Sequence, residues 1–79
     1  MAINVRYFAA LREQSQKSME TIDKDYQTPK DLYQDLSERY NFSLDFKQIQ
    51  VSVNGEYKQW DFQLSPNDLV VFIPPVAGG

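Results

Sequence analysis

The sequence predicts an α+β domain in which a mixed sheet wraps one main helix, and three observations support this. Stretches near both ends and in the middle alternate apolar and polar residues with a period of two, the signature of half-buried strands. A single segment starting at Thr28 carries apolar residues at helical spacing. The resulting order (strand, strand, helix, strand, strand, strand) is that of elements packing as one sheet on one helix.

Residues 2–8 send Ile3, Val5 and Tyr7 to one face and Asn4, Arg6 and Phe8 to the other, so Phe8 breaks an otherwise polar side. Ala9 to Gln14 are good helix formers and predict one short turn. Residues 18–23 alternate weakly and are expected to pair with the first strand. Thr28-Pro29-Lys30-Asp31 is a helix start: a capping hydroxyl, a proline suited to the first position and an acid in the first turn. Leu32, Leu36 and Tyr40, with Tyr33 alongside, form the apolar face of a helix running to about Tyr40. Asp35, Glu38 and Arg39 fall on the solvated side, and Asn41 is the stop. Phe42, Leu44 and Phe46 read as apolar plugs in a loop. Residues 48–53 alternate with Ile49, Val51 and Val53 inward, and Asn54-Gly55 is a strong hairpin signal returning through Tyr57. Trp60, Phe62 and Leu64 suggest a further extended piece. Ser65-Pro66-Asn67-Asp68 is a tight turn into the last strand.

That last strand is apolar on both sides, with Val70 and Phe72 pointing one way and Leu69, Val71 and Ile73 the other. Such a pattern belongs to a central strand covered on both faces. A chain of 79 residues with one main helix has too little structure to cover both, so one face is expected to meet a partner, joined by Phe8.

Composition narrows the chemistry. There is no Cys and no His, which removes disulfides, thiolate nucleophiles, zinc–thiolate sites and the commonest general base. Eight basic against eleven acidic residues, with no basic cluster, disfavour a nucleic-acid or anionic-membrane partner. No apolar run is long enough to span a bilayer and no signal peptide opens the chain, so a cytoplasmic location is expected. Acidic pairs such as Asp31 and Asp35 are better explained by the helix dipole than by acid–base catalysis. The carboxylate at Gly79 remains as the best presented reactive group. Pro74-Pro75 ends sheet pairing and stiffens the exit, and two of the three glycines in the chain are Gly78 and Gly79. A thin end bearing one carboxylate fits a narrow active site on another protein, although glycines also gather at unconstrained termini.

Phe8-Ala9-Ala10-Leu11-Arg12-Glu13, Val53-Asn54 and above all the run from Asp68 through Phe72-Ile73-Pro74-Pro75-Val76-Ala77-Gly78-Gly79 resemble the MoaD family, the small sulfur-carrier subunit of molybdopterin synthase. The resemblance covers the whole chain. It departs at Asn67, where the family usually has Gly; Asn tolerates positive φ, so the turn is expected to survive. The resemblance implies a β-grasp, ubiquitin-like fold, a domain over residues 1–74 and an extended tail over residues 75–79. It implies that a partner enzyme adenylates Gly79 with ATP and that a persulfide from a sulfur donor protein converts it to a thiocarboxylate. The large synthase subunit then receives the tail, and the sulfur attacks cyclic pyranopterin monophosphate to build the molybdopterin dithiolene. On this reading Gly79 carries the sulfur, while Pro75, Val76, Ala77 and Gly78 thread into the partner. Phe8, Tyr57, Val71 and Ile73 face that partner, and the chain holds no cofactor or metal itself. Three alternatives share the features above: a thiamine-pathway sulfur carrier, a ubiquitin-like protein modifier, and a β-grasp binding module with an inert terminus.

Overall fold

The computed structural model describes residues 2–75. In chain order its elements are β1 (Ala2–Tyr7), α1 (Ala9–Ser15), β2 (Met19–Asp23) and α2 (Pro29–Tyr40). A single 3-10 turn (Phe46–Gln48), β3 (Gln50–Val53), β4 (Glu56–Lys58) and β5 (Leu69–Ile73) follow. The strands form one mixed sheet in the order β2-β1-β5-β3-β4. β1 and β5 are parallel, while β1–β2, β3–β5 and β3–β4 are antiparallel. The expected α+β architecture is therefore present, with β5 in the centre.

Local signals account for most of these elements. Thr28 caps α2 by accepting from the Asp31 amide at 3.2 Å, Pro29 occupies the first turn, and Asn41 closes the helix in the left-handed conformation with φ 56°. The apolar stripe of α2 is core: Leu32, Tyr33 and Leu36 are buried against Val5, Tyr7, Val51, Val70 and Phe72 of the sheet. Asn54 (φ 53°) and Gly55 (φ 88°) supply the two positive φ angles that a two-residue hairpin of the right twist needs. In the turn before β5, Pro66 is followed by Asn67 at φ 67°, and the Asp68 amide donates to the Ser65 carbonyl at 3.2 Å. Asn thus carries the positive φ of a type II turn without help from glycine.

Three expectations differ from the structure. Residues 9–15 form two turns of helix rather than one, because Leu11 and Ser15 find buried sites. Phe8 does not continue β1; it is the N-cap residue of α1. Trp60, Phe62 and Leu64 form no strand. Their backbone is tied instead to the start of α2, through Lys30 N to Trp60 O (3.2 Å) and Leu64 N to Gln27 O (2.8 Å). Alternating apolar residues signal burial of one side, and this loop achieves it by laying its side chains against the core.

The entry to β5 is pinned from three sides. Asp68, itself buried, accepts from the Ser65 amide (2.7 Å) and from Asn54 Nδ2 (2.9 Å). Asn54 Oδ1 in turn accepts from the Leu69 amide at 2.9 Å. On the other side, the Asn4 amide donates to the Asp68 carbonyl at 3.0 Å, which fixes the parallel register with β1. Among the described residues no helix is long and apolar enough to cross a membrane.

Removing the Asp68 carboxylate leaves two donors inside the turn without their acceptor. Asp68→Ala is expected to cost about 2–3 kcal/mol, read as a lower urea midpoint with an unchanged slope.

Candidate functional site

The two faces of the sheet are treated differently. On the face toward α2, Ile3, Val5, Tyr7, Ile22, Val51, Val53, Val70 and Phe72 are buried. On the opposite face Leu69, Val71 and Ile73 of β5 stay partly exposed among the described residues. The strand registers place Met19, Arg6, Val71, Ser52 and Tyr57 side by side across all five strands of this open face. Among the described residues the exposed large apolar side chains are Phe8 (40%), Met19 (58%) and Tyr57 (69%). Met19 and Tyr57 stand at the two ends of that row, and Phe8 follows β1 beside it.

Toward its C-terminal end β5 opens into an apolar groove of about 680 Å³. Phe8, Ala9, Ala10, Leu44, Ile73, Pro74 and Pro75 line it, with Arg12 and Glu13 also contributing. Its walls are set by specific bonds. Gln14 of α1 donates to Ser43 Oγ (2.8 Å) and accepts from the Ser43 amide (3.1 Å), clamping α1 to the loop that carries Leu44. The Tyr33 hydroxyl donates to the Leu44 carbonyl at 2.6 Å from the core side. Ala9 turns the chain sharply after Phe8 at φ 50°, a left-handed conformation that costs an L-residue about 1–2 kcal/mol. The chain thus holds a strained position at the residue that aims Phe8 along the groove.

Of the residues singled out from sequence, Phe8, Tyr57, Val71 and Ile73 all lie on the open face or its groove, and Pro75 is exposed at the groove's end. Val76, Ala77, Gly78 and Gly79 lie outside the described residues. Pro74, read from sequence as part of the stiff exit, also lines the groove, whereas Met19, Leu44 and Arg6 were not singled out as site residues. Met19 could have been found from the weak alternation of residues 18–23, since antiparallel pairing with β1 puts it opposite Arg6. Leu44 gave no comparable signal, because a loop residue has no period to read. Among the described residues no group of three or more acidic side chains is arranged to hold a metal ion.

The opposite side of the molecule is closed by tyrosine–carboxylate pairs. Glu20 Oε2 accepts from the hydroxyls of Tyr7 (2.5 Å) and Tyr40 (2.8 Å), and Oε1 accepts from Lys17 Nζ (3.3 Å). Burial pushes the Glu20 carboxyl up, but these three hydrogen bonds and the Lys17 charge outweigh it and hold the group below its ordinary value of 4.5. Burial, with the Glu20 bond and charge adding to it, drives the Tyr7 hydroxyl far above its ordinary range. Asp35, on the outer side of α2 as expected and partly exposed, is bonded there by the Tyr26 hydroxyl and approached by Lys24 (3.4 Å) and Arg39 (3.7 Å). The Tyr26 bond leads in holding the Asp35 carboxyl below its ordinary 3.8, against a smaller opposing effect of burial. Burial followed by the bond to Asp35 pushes the Tyr26 hydroxyl up to about 12.

Comparison with known proteins gives a consistent result. The ThiS family model matches residues 5–79. The chain is 31% identical over 80 residues to the molybdopterin synthase sulfur carrier subunit of Escherichia coli (strain K12), covering 98% of this chain and 99% of that one. It superimposes on a putative molybdopterin converting factor, subunit 1, from Pyrococcus furiosus with a TM-score of 0.79 at 28% identity, covering 96% and 99% of the two chains. A complex of subunits 1 and 2 of the molybdopterin-converting factor from Helicobacter pylori 26695 contains the same fold, with a TM-score of 0.69 at 21% identity over the full length of both chains. The mixed sheet on one main helix is thus the ubiquitin-like β-grasp.

The carboxylates on the helix side are expected to make the fold sensitive to acid. Glu20 and Asp35 both have lowered values, so their stabilisation is complete above the ordinary carboxylate range and is lost as pH falls through the folded values. Urea midpoints are expected to drop between about pH 5 and about pH 3. Glu20→Gln should lower the midpoint at neutral pH and flatten that drop; an unchanged slope would assign it to other groups.

Proposed function

This chain belongs to the ThiS family, and from that premise we propose that it is the sulfur carrier subunit of a molybdopterin synthase, with Gly79 as the carrying residue. The observation that carries the proposal is the match over nearly the whole of both chains to the Escherichia coli subunit. The open apolar face, continuous with the groove that leads to Pro75, supports it.

The chemistry follows from what a carboxylate lacks. At neutral pH it is a poor electrophile, so a partner enzyme spends ATP to convert the Gly79 carboxylate to an acyl-adenylate, releasing pyrophosphate. A persulfide sulfur from a donor protein displaces AMP, and thiol cleavage of the resulting acyl disulfide leaves the thiocarboxylate. The sulfur then attacks the pterin precursor inside the large subunit, and two such deliveries complete the dithiolene. The chain contributes presentation rather than catalysis, in keeping with its lack of Cys and His. Residues 75–79 act as the tail: Pro75 directs it outward, Val76 and Ala77 fill the partner's channel, and Gly78 lets backbone approach backbone. Phe8, Tyr57, Val71 and Ile73 form the surface that the large subunit covers. ATP enters with the activating enzyme, the carrier holds no cofactor of its own, and the reactions are cytoplasmic.

Intact mass of the untagged chain after incubation with ATP, the activating enzyme and a sulfur donor is expected to shift by one oxygen replaced by sulfur. The same treatment of a chain lacking Gly79 should leave its mass unchanged. No shift, with an activating enzyme proven on another carrier, would end the thiocarboxylate reading. Adding the large subunit and the pterin precursor separates this function from a thiamine-pathway carrier or a protein modifier, since only a synthase subunit gives up its sulfur there.

Phe8→Ala should weaken binding to the large subunit by roughly 10-fold or more, as loss of an aromatic anchor does. Phe8 keeps 40% of its surface exposed in the free chain and lies outside the buried core, so the urea midpoint should fall less than on truncating a core aromatic. Titration calorimetry and denaturation on the same samples separate the two effects.

A further inference from the structure

We infer that the partner docked on the open face presents a carboxylate to Arg6. The inference rests on the sulfur-carrier reading and names a specificity-determining contact within it. Arg6 is exposed near the C-terminal end of β1, in register with Met19 on one side and Val71 on the other. Its guanidinium carbon lies 5.4 Å from the centre of the Phe8 ring. Its remaining neighbours on the face are neutral: Ser52 beyond Val71, and the Asn4–Thr21 pair, in which Thr21 Oγ1 donates to Asn4 Oδ1 at 2.8 Å. Asp23, also on this face, stands opposite Ala2 at the far end of β2. Ion pairs among the described residues engage Lys17, Lys24, Arg39 and Lys58, and Arg6 makes none.

A charge in this position constrains what can dock. Guanidinium stays protonated under all ordinary conditions, so it has no neutral form to retreat to. A partner that seals Met19, Phe8 and Val71 from water also removes water from Arg6, and an ion buried without a counter-ion costs several kcal/mol. The Phe8 ring offsets part of this loss through its quadrupole and holds the guanidinium against the surface. The five N–H donors still require acceptors. A carboxylate takes two of them in parallel bonds and restores neutrality, whereas a wholly apolar surface leaves all five empty. Arg6 therefore admits a partner with an acid at one place and rejects apolar surfaces that would otherwise fit.

The test uses the full-length chain and the large subunit. Binding is measured by calorimetry at low and high salt for wild type, Arg6→Met and Arg6→Lys, each first shown to keep the wild-type urea midpoint. Arg6→Met is expected to bind about 30-fold more weakly at low salt and to lose most of the salt dependence, with Arg6→Lys in between. The aspartates and glutamates of the large subunit are then neutralised one at a time. One replacement should weaken the wild-type chain yet have no further effect on Arg6→Met. Equal or tighter binding by Arg6→Met, or the absence of any coupled acid, overturns the inference while leaving the sulfur-carrier reading in place. Absence of binding by the wild-type chain would remove that reading and this inference with it.

Discussion

The position of β5 in the middle of the sheet is the constraint on which the rest of this molecule depends. Val70 and Phe72 are fully buried on one of its sides, where α2 and the aromatic cluster of Tyr33, Trp60 and Phe42 close over them. Leu69, Val71 and Ile73 on its other side are only partly covered by their own chain. A strand apolar on both sides needs cover on both, and a single main helix supplies half of it. The domain is thus complete as a fold and incomplete as a surface.

Polar groups are distributed accordingly. The helix side spends its tyrosine hydroxyls and carboxylates on one another, in the Tyr7–Glu20–Tyr40 and Tyr26–Asp35 pairs, and these lock β1, β2 and α2 together. Among the described residues no buried side-chain polar atom is left without a partner. The open face carries a neutral Asn4–Thr21 pair, a half-buried apolar strand, Arg6 and, at the far end of β2, Asp23. Satisfaction on one side and unmet contacts on the other are what separate a packing surface from a binding surface.

Most of the fold was readable from the residues, because its elements carry local chemistry that tertiary contacts did not override. Thr28-Pro29 began α2, Asn54-Gly55 made the hairpin, and the doubly apolar run from Leu69 marked the central strand. The segment from Trp60 to Leu64 misled because period-two alternation reports which side is buried, not where the backbone finds its hydrogen bonds. Phe8 was readable as a break in a polar face, but its place as the N-cap residue of α1 depends on the left-handed turn at Ala9, which the residue type disfavours. Asp35 looked solvated because its helical position is; its partner Tyr26 comes from a loop whose path no local pattern encodes.

The central, doubly hydrogen-bonded setting of β5 also has a mechanical consequence. Pro74 and Pro75 follow directly on a strand bonded to β1 on one edge and β3 on the other. A force directed along the axis of β5 acts across these hydrogen bonds, so the bonds to both neighbours share the load in shear instead of opening one after another. The Asn54–Asp68 clamp anchors the far end of the same strand. Traction on the end of the chain, such as that needed to withdraw it from a tight channel, is thus borne by the stiffest direction of the sheet, and the domain can serve as its own handle.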